Sequence, residues 1–551
     1  MINFDALTLK AFVEENREFL TGAAIKKIQQ PSRRELLIQL RNNGENKKLY
    51  ININPEFFHL CFVEDTQKRG ITIPNEAPMF CMLLRKYIQN GKITKIVQPF
   101  GERILEMHFE YRDSLGDTNT ICLAAELMGK YSNIILYNFD TKIIIGCAHN
   151  VGEEKSKYRE LAGTLPYIYP EKQNKSDILS ESEENFVRKF TGNFDEISLS
   201  FAVANEYYYL TNPLVKQVIK ALNGSDFDER FLKKLFLLLQ KTVSLQDIKP
   251  SADIENNEFS LFTDSGFKPF PSVNKMINDY FEHNMLQKLL KQRKQKITLI
   301  LDSHIKKLLK QTEIFRAKLL ETEKADNYKI KADILMMNIN AEIKPKITLF
   351  NPYDNQNTEI ELDTNCSIIQ NANRYYKLYK KTKTAIEYAE NKIEETEALL
   401  EEKEQQKFYT EIASNLEEIE EIEEEIGIKT DKTKEKRVKK EHNLDMREIG
   451  GFKVYLGKNS VQNDYLLSKI AAPEDLWFHP LNMHGAHVIL KCGNQKVDDE
   501  VLLSCAKLAK RFSKAQQNAK IPIIYTERKY VKKANSKIAF VTYKNEKEIY
   551  C

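Results

Sequence analysis

Two long stretches of this chain, residues 279–326 and 371–428, place apolar side chains at helical spacing between charged residues. The second stretch carries a near-heptad series: Ile386, Ile393, Leu400, Ile412, Leu416, Ile419 and Ile426. The first carries a looser stripe: Leu290, Ile297, Leu301, Ile305, Leu308, Phe315 and Leu319. These stripes predict an antiparallel coiled-coil hairpin, a stalk reaching on the order of 70 Å. An ordinary helical bundle is the alternative.

The first 175 residues switch from a helical pattern to the period-two pattern of strands. Amphipathic helices are predicted at residues 4–20 and 77–89. Short strands are predicted at residues 25–28, 36–40, 49–53, 93–98, 103–109, 121–128 and 134–137. We therefore predict an α+β domain at this end of the chain.

The next segments are predicted to be mostly helical. Short helices are predicted at residues 183–190, 199–210, 213–222 and 231–239, followed by a strand-rich connector at 253–267. Ser272 or Asn274 is a candidate N-cap of the first long helix. Helical periodicity is lost over residues 329–363, where alternation around an Asn-Pro-Tyr-Asp turn predicts a β-hairpin at 347–362.

A separate C-terminal core is predicted beyond a basic, flexible tether at residues 429–442. Strands are predicted at 452–459, 521–525, around Val531 and at 539–543, and helices at 463–471 and 499–512. Residues 475–480 and 484–490 form the densest cluster of candidate functional side chains. The overall prediction is an α+β multidomain chain. Its four parts are residues 1–175, residues 176–270, the hairpin at 271–430 with a β-containing tip at 329–370, and residues 431–551.

Composition and charge narrow the possible partners. The chain has 551 residues, of which 42% are apolar, enough for three or four cores. Its 83 Lys and Arg against 79 Asp and Glu give a net charge of only +4, so affinity for nucleic acid depends on where the cations lie. Residues 288–296 hold five cations in nine positions, and residues 417–425 hold seven glutamates in nine. We expect the acidic run to form a solvated helix face.

Cysteine usage predicts a reducing compartment. The eight cysteines include no C-x-x-C pair, and no secretory or membrane-spanning segment is present in the sequence. We therefore expect a cytoplasmic protein without disulfides, metal or cofactor. Asp475 with His479, His484 and His487 matches no common metal-ligand spacing, and packing is the favoured role for these histidines.

Two loop and helix features are candidates for contact with phosphate. The pentad Gly-Lys-Tyr-Ser-Asn at 129–133 offers Lys130, Ser132 and Asn133 at the mouth of a sheet, although a plain β-turn is the alternative. The Walker spacing is absent. Arg85 and Lys86 lie on the polar face of the predicted helix at 77–89.

The C-terminal part has its own candidates for contact with RNA. Trp477 could stack on a base or belong to the core, and the cations of residues 507–514 and 528–533 could contact phosphates. The tyrosine- and lysine-rich segment 371–381 could bind nucleic acid or pack against the hairpin.

Several long motifs then indicate a family. In the N-terminal part, FDALTLKAFVEE, KKIQQPSRRELLIQLR, PMFCMLLRKYIQNGKITKIVQ and AELMGKYSNIILYN resemble the RqcH/NEMF family, also called NFACT or fibronectin-binding protein A-like proteins. The resemblance implies a first domain similar in fold to the N-terminal part of formamidopyrimidine-DNA glycosylase that holds a tRNA. The glycosylase's nucleophilic proline is missing, because Ile2 follows Met1.

The resemblance also implies which residues bind tRNA. The family's tRNA-contacting Asp-Arg pair falls on Glu102 and Arg103, where the acid is one methylene longer. Arg85, Lys86, Lys130, Ser132 and Asn133 complete the predicted tRNA-binding set. The family's helix-hairpin-helix module is expected at 176–270, although the expected turn glycines are absent from residues 199–210.

In the C-terminal part, YLGKNSVQNDYL, DLWFHPLNMHGAHVIL, CAKLAKRFSKA and YVKKANSKIAFVTY resemble the family's RNA-binding domain. The implied RNA-binding residues are Lys458, Asn459, Asp475, Trp477, His479, His487, Lys532 and Lys533.

The function implied is a ribosome quality control factor that catalyses no reaction itself. It is expected to act as a monomer on the large ribosomal subunit bearing obstructed peptidyl-tRNA, recruit aminoacyl-tRNA and promote template-free alanine tailing. A fibronectin-binding surface adhesin and a nucleic-acid lyase or glycosylase are the alternatives.

Overall fold

The computed structural model describes residues 4–64, 71–112, 118–154, 158–222, 227–246, 248–262, 267–320, 322–428, 444–514, 520–533 and 541–551. The chain divides into two compact units, Met1–Lys288 and Leu289–Cys551. The predicted tether at 429–442 and the C-terminal motif residues 536–539 lie outside the described residues. The mixed α+β class is confirmed, and the four-part division stays a prediction.

The first unit opens with a helix and a four-stranded antiparallel sheet. Helix α1 (Ala6–Leu20) is capped by Asp5, whose carboxylate accepts a hydrogen bond from the Thr8 amide at 2.8 Å. The sheet runs in chain order through β1 (Ala24–Ser32), β2 (Glu35–Asn42), β3 (Glu45–Asn52) and β4 (His59–Val63). The helix and the strands predicted up to residue 53 are confirmed.

A five-stranded antiparallel sheet follows and carries the N-terminal candidate site. Helix α2 (Met79–Ile88) precedes β5 (Ile93–Val97), β6 (Ile104–Arg112), β7 (Thr118–Glu126), β8 (Asn133–Asn138) and β9 (Ile144–Cys147), in chain order. Alternate residues of β6 divide between two cores: Leu105 joins the main core, while Ile104 joins a smaller one. This is the period-two burial that the sequence pattern predicts.

Four short helices and a small sheet complete the first unit. The helices are α3 (Glu183–Phe190), α4 (Glu196–Glu206), α5 (Asn212–Ala221) and α6 (Glu229–Val243). Their apolar faces join the same core as α1 and the first sheet. Between α4 and α5, Tyr209 adopts a left-handed backbone with φ 66°, a conformation that glycine adopts without strain. The connector forms β10 (Ser251–Asp253), β11 (Glu258–Ser260) and β12 (Lys268–Pro269).

The first long helix, α7 (Val273–Leu319), begins directly after Ser272, one of the two candidate N-caps, whose hydroxyl accepts a hydrogen bond from the Lys275 amide at 3.0 Å. Within the first unit, its opening turns are buried in the main core through Val273, Met276 and Phe281. Folding of this end of the helix therefore depends on the packing of the first unit.

The second unit contains the predicted antiparallel helix pair. Beyond residue 288, α7 packs against α9 (Ile368–Ile412) and α10 (Leu416–Ile426). Contacts run in opposite chain directions: the Asp302 carboxylate is 2.7 Å from Lys407 Nζ, and Thr312 Oγ1 is 3.4 Å from Thr396 Oγ1. The hairpin is thus confirmed, but the predicted unbroken second helix is wrong. The helix stops at Ile412 and restarts after residue Asn415, which caps α10.

The tip differs from the prediction in one respect. The expected loss of helix from residue 329 is wrong, because α8 (Thr322–Met337) continues and buries Ala332, Ile334 and Leu335. The predicted hairpin is confirmed as β13 (Lys346–Asn351) and β14 (Gln356–Glu361). The two roles left open for segment 371–381 are also distinguished. Tyr375 donates to the Glu361 carbonyl at 2.8 Å and Tyr376 to Asp333 at 2.5 Å, which is the packing alternative.

The C-terminal core is a six-stranded antiparallel sheet with one long helix. In spatial order its strands are β15 (Asp445–Ile449), β16 (Phe452–Gly457), β18 (His487–Leu490), β17 (Leu476–Pro480), β19 (Pro522–Glu527) and β22 (Lys547–Tyr550). The helices are α11 (Ser460–Tyr465), which continues as a π-helical turn at Leu466–Ile470, and α12 (Asp499–Arg511). A separate pair joins β20 (Lys532–Lys533) to β21 (Val541–Thr542). The sequence analysis missed both edge strands, β15 and β22.

Candidate nucleic-acid interface

Arg103 lies immediately before β6, at the end of a turn that is held by hydrogen bonds. The Glu102 amide donates to the Pro99 carbonyl at 3.0 Å, and Gln98 Nε2 donates to the carbonyls of Ala6 and Glu102 at 2.9 and 2.8 Å. The Arg103 carbonyl in turn accepts from the Leu127 amide at 2.8 Å. The backbone that carries Glu102 and Arg103 is therefore held from both sides.

Gly101 sets the shape of this turn. Its φ of +72° lies in the left-handed region, and a Cβ added there would meet Tyr208 Cδ1 at 2.1 Å. Only glycine fits this position without displacing the tyrosine ring. The chain thus approaches Tyr208 closely just before it presents Glu102.

The guanidinium of Arg103 lies among acidic and aromatic groups. Its Cζ is 5.5 Å from the centroid of the Phe58 ring, a cation–π distance. Burial lowers the pKa of Arg103, while the carboxylates of Asp5 and Glu102 oppose that change. Burial raises the pKa of Glu102, and Arg103 opposes it. The planar fork of Arg103 is therefore oriented while its charge is only partly neutralised.

The loop at residues 129–133 adjoins the same phenylalanine. A Cβ on Gly129 would lie 3.7 Å from Phe58 Cε1, and Lys130 and Tyr131 are exposed. Ser132 and Asn133 are buried and used within the protein: Ser132 Oγ accepts from the Met128 amide at 2.8 Å, and Asn133 Nδ2 donates to the His149 carbonyl at 2.9 Å. These two side chains hold the loop, and Lys130 is the member that is free to meet a phosphate.

We define the Arg103 site as Phe58, Glu102, Arg103, Lys130 and Tyr131. Glu102 and Arg103 precede β6, and Lys130 and Tyr131 follow β7, at one end of the five-stranded sheet. Phe58 reaches the same place from the segment before β4. The sequence analysis missed Phe58 and Tyr131, although Tyr131 lies within the loop motif and is 59% exposed. Phe100, 52% exposed, is a further exposed ring, three residues before Arg103.

Arg85 and Lys86 lie elsewhere. Arg85 Nε and Nη2 donate to the Ile28 carbonyl at 3.0 and 2.9 Å, which joins α2 to β1. Lys86 Nζ lies 5.3 Å from the ring of Tyr87, which packs on Tyr111 near the opposite end of β6 from Arg103. No contact described by the structure joins either residue to the Arg103 site.

A buried ion pair supports the sheet beside the site. Glu126, the last residue of β7, is fully buried and accepts from both terminal nitrogens of Arg159, at 2.8 and 2.5 Å, and from Tyr167 Oη at 2.9 Å. Glu126 is also the strand partner of Ile104, the residue after Arg103. The Glu126–Arg159 ion pair therefore holds the end of β7 next to Arg103.

In the second unit, Lys458 and Asn459 are turned towards the acidic helix. Lys458 is 6% exposed, and its Nζ lies 3.1 Å from Asp445 Oδ2 and 3.4 Å from Glu418 Oε1. Asn459 caps α11 by accepting from the Gln462 amide and donates to Glu421 at 2.6 Å. Both side chains thus bind protein groups, and their role in RNA binding stays a prediction.

This contact corrects the expectation for the glutamate run. The prediction that residues 417–425 form a solvated face is wrong, because Glu418 and Glu423 are buried. Glu423 accepts from Arg293 Nε at 3.1 Å, and Glu421 accepts from Asn459 and Gln462. The inward-facing glutamates of α10 therefore meet donor groups of α7 and of the C-terminal core.

The aromatic cluster around Trp477 is part of the core. Trp477 is fully buried and packs against His479 and His487, with ring centroids 5.4 Å away in each case. Burial lowers the pKa of His479 to about 4 and that of His487 well below its usual value. Both imidazoles are therefore neutral near pH 7. Of the two roles left open for Trp477, the structure shows the core role.

Asp475 is buried just before β17 and forms hydrogen bonds to residues just after β18. Its carboxylate accepts from Lys491 Nζ at 2.6 Å and from the amides of Ala472 and Gly493 at 2.7 and 3.1 Å. By contrast, Lys532 and Lys533 on β20 are exposed, and Lys533 pairs with Asp464. Exposed cations also lie on and after α12: Lys507, Arg511 and Lys514. These cations are among the exposed positive charges that the described part of the C-terminal core offers to phosphates.

Two family models match the chain. The model described as NFACT N-terminal and middle domains matches residues 5–443, and the model described as NFACT protein RNA binding domain matches residues 444–542. The relative named Rqc2 homolog RqcH from Streptococcus suis (strain 05ZYH33) is 30% identical over 571 residues, covering 100% of this chain and 98% of the relative. Its namesake from Bacillus subtilis (strain 168) is 26% identical over 572 residues, with the same coverage.

Among solved structures, the N-terminal part of the fibronectin/fibrinogen-binding protein from Streptococcus suis is 26% identical to the chain. It aligns with a TM-score of 0.43 and covers 51% of this chain and 99% of that one. In the described part of the chain, no helix is both long enough and apolar enough to span a membrane.

Proposed function

Because the chain belongs to the NFACT family, whose two models match residues 5–443 and 444–542, we propose that it is a ribosome quality control factor of the RqcH type. It binds a large ribosomal subunit that carries an obstructed peptidyl-tRNA, recruits an aminoacyl-tRNA and promotes template-free extension of the stalled chain. By family resemblance the added residue is alanine. The protein works in the cytoplasm, as a monomer on the ribosome.

The observation that carries the tRNA part of this proposal is the Arg103 site. The Arg103 guanidinium lies over the Phe58 ring, and the Glu102 carboxylate and the exposed Lys130 ammonium belong to the same site. The site therefore offers a planar cation, an acceptor and a second positive charge. Arginine binds phosphates or guanine edges bidentately, and a carboxylate accepts from the amino group of cytosine. Exposed rings such as Tyr131 can stack on unpaired bases. This combination suits a single-stranded tRNA loop.

The C-terminal core supplies a second RNA contact. The match to an RNA-binding domain covers it, and its exposed cations on α12 and β20 provide contacts that do not depend on base sequence. We assign this surface to ribosomal RNA and the Arg103 site to tRNA. The peptide bond itself is formed by the ribosome, so the chain needs no catalytic residue of its own.

The test is the RNA that the protein carries in cells. The full chain is purified from cells in which ribosomes stall, and its bound RNA is sequenced. We expect ribosomal RNA of the large subunit together with a restricted set of tRNAs. The Arg103→Ala variant should retain the ribosomal RNA and lose the tRNAs, whereas Arg188→Ala, which removes an arginine that bonds Asn185 on α3, should retain both.

Recovery of neither RNA with the wild-type chain would refute the whole proposal. Recovery of the same tRNA set with wild type and Arg103→Ala would refute only the role assigned to the Arg103 site.

A further inference from the structure

Three residues of the types that bind metals meet on one face of the five-stranded sheet. Glu106 and His108 are two residues apart on β6, so their side chains share a face. Cys122 is the direct cross-strand partner of His108 on β7. One ligand atom from each residue lies within 4.8 Å of the others, and all three residues are buried.

His108 has a donor or acceptor atom without a hydrogen bond. The residue is 5% exposed, and within the described part of the chain its Nε2 has no hydrogen-bond partner. The closest carboxylate oxygen of Glu106 is 3.6 Å away from it. A buried polar atom left without a partner costs roughly 1–3 kcal/mol. This imidazole nitrogen therefore lies near the Glu106 carboxylate, but too far from it for a hydrogen bond.

The surrounding tyrosines hold the carboxylate in position. Glu106 Oε1 accepts hydrogen bonds from Tyr137 Oη at 3.0 Å and from Tyr169 Oη at 2.5 Å. Both bonds fall on the same oxygen, so Oε2 is the oxygen directed towards His108. Hydrogen bonds of this kind commonly orient the carboxylates that bind metals.

We propose that Glu106, His108 and Cys122 bind a zinc ion inside the sheet. A thiolate, an imidazole and a carboxylate form the mixed S, N and O set that zinc prefers. Zinc holds such ligands at about 2.0–2.3 Å, which in a tetrahedron separates them by roughly 3.3–3.8 Å. The three atoms need to close by only about 1 Å. These three protein ligands would leave the fourth tetrahedral position open.

Binding at this site releases a proton. Burial raises the pKa of the Cys122 thiol, so the free site holds a neutral S–H. Zinc replaces that proton: the S–H bond breaks, an S–Zn bond forms, and one proton passes to solvent. No electron is transferred.

The ion would join β6 to β7 close to the Arg103 site. Glu106 is three residues after Arg103 on the chain, about 10 Å along the strand. Zinc would therefore cross-link β6 and β7, the two strands next to the candidate tRNA contacts. The zinc site itself does not depend on the tRNA role, and the two are tested separately.

The first experiment is a Co²⁺ titration of the full chain after metal removal with a chelator. Cobalt replaces zinc in tetrahedral sites and produces a thiolate-to-cobalt absorption band in the near ultraviolet. We expect this band to appear at one cobalt per chain and to disappear when Zn²⁺ is added, with one proton released per zinc bound. Absence of the band with the wild-type chain would overturn the proposal.

The second experiment compares variants. His108→Gln and Cys122→Ser should weaken zinc binding at least about 100-fold, since loss of an outer-shell partner alone costs about 10–100-fold. Cys147→Ser is the matched control, because Cys147 is another buried cysteine of the same small core, and it should bind zinc as the wild type does. Unchanged binding by folded Cys122→Ser, or equal loss in Cys147→Ser, would contradict the assignment. If Cys122→Ser does not fold, the wild-type cobalt spectrum and the His108→Gln variant decide.

Discussion

The guanidinium carbon of Arg103 lies 5.5 Å from the centre of the Phe58 ring, although the two residues are 45 positions apart in the chain. Phe58 comes from the segment just before β4, and its ring also adjoins Gly129 of the loop after β7. A single aromatic ring thus supports both the arginine and the loop that carries Lys130. This arrangement suggests that Arg103 acts through its planar shape as well as its charge.

The first prediction separates shape from charge. Arg103→Lys keeps the positive charge but loses the planar fork and its packing on Phe58. We expect its affinity for unfractionated tRNA to fall by about 5–150-fold, which corresponds to losing one bidentate contact of roughly 1–3 kcal/mol. Fluorescence anisotropy with labelled tRNA measures this. Lysine binding as tightly as arginine would show that charge alone is used.

The second prediction concerns the protonation of Glu102. Because burial raises the pKa of Glu102, it becomes protonated at a higher pH than an ordinary glutamate, whose pKa is about 4.3. The ionised carboxylate is a stronger acceptor for a base amino group than the protonated form, so tRNA affinity should fall as the pH drops through that raised pKa. Glu102→Gln should bind tRNA more weakly than the wild type at pH 7, and its affinity should change less with pH.

Stability gives an independent measure of the same group. A raised carboxyl pKa in the folded state means that ionisation of Glu102 disfavours folding, a penalty present at neutral pH and relieved as the pH falls. Glu102→Gln should therefore unfold at a higher temperature than wild type at pH 7. A lower unfolding temperature, or a variant with the wild-type pH dependence of tRNA binding, would contradict this account.

The third prediction tests the buried ion pair beside the site. Arg159→Leu leaves the fully buried Glu126 without its cation, and breaking a buried pair destabilises by about 3–5 kcal/mol. The free energy of unfolding of the first unit, measured by urea denaturation, should fall by this amount. The matched control, Arg17→Leu, removes an exposed pair with Glu14 and should change stability by about 0–1 kcal/mol. Equal effects of the two substitutions would contradict the structural role of Arg159.

The fourth prediction concerns the contact of α9 with the C-terminal core. Buried Tyr409 Oη accepts from Asn463 Nδ2 at 2.8 Å and from Gln405 Nε2 at 3.1 Å. Tyr409→Phe leaves these amides unsatisfied, so local opening should become easier by about 1–3 kcal/mol. Hydrogen exchange in α11 should accelerate accordingly. Tyr388→Phe, on the exposed side of α9, should have no effect there.

Much of the fold was predictable from local patterns. The apolar periodicity of α1, the cap at Ser272 and the alternation in β2 each depend on residues close in sequence, so the elements they define were found. The errors arose where tertiary packing decides. The acidic α10 is buried because Lys458 and Asn459 meet it, and no local pattern in a glutamate run reveals a donor 40 residues away. The edge strands β15 and β22 were missed because their apolar alternation is weak.

The site was predictable only in part. The Glu102 and Arg103 positions came from family resemblance, while Phe58 entered only through folding. The proposed zinc site shows the same difficulty more strongly. His108 and Cys122 are adjacent through strand register and not through a ligand spacing in the sequence, so a search of the sequence for ligand spacings does not bring them together.

The most direct test of the central claim is the C-terminal sequence of stalled nascent chains in cells, measured by mass spectrometry. Cells with the wild-type protein should yield chains extended by residues that the message does not encode, alanine being the expected addition. Cells with Arg103→Ala should yield no extensions, although the variant still sediments with the large ribosomal subunit. Extensions that persist in Arg103→Ala, or an equal loss of subunit association, would contradict the assignment of tRNA recruitment to the Arg103 site.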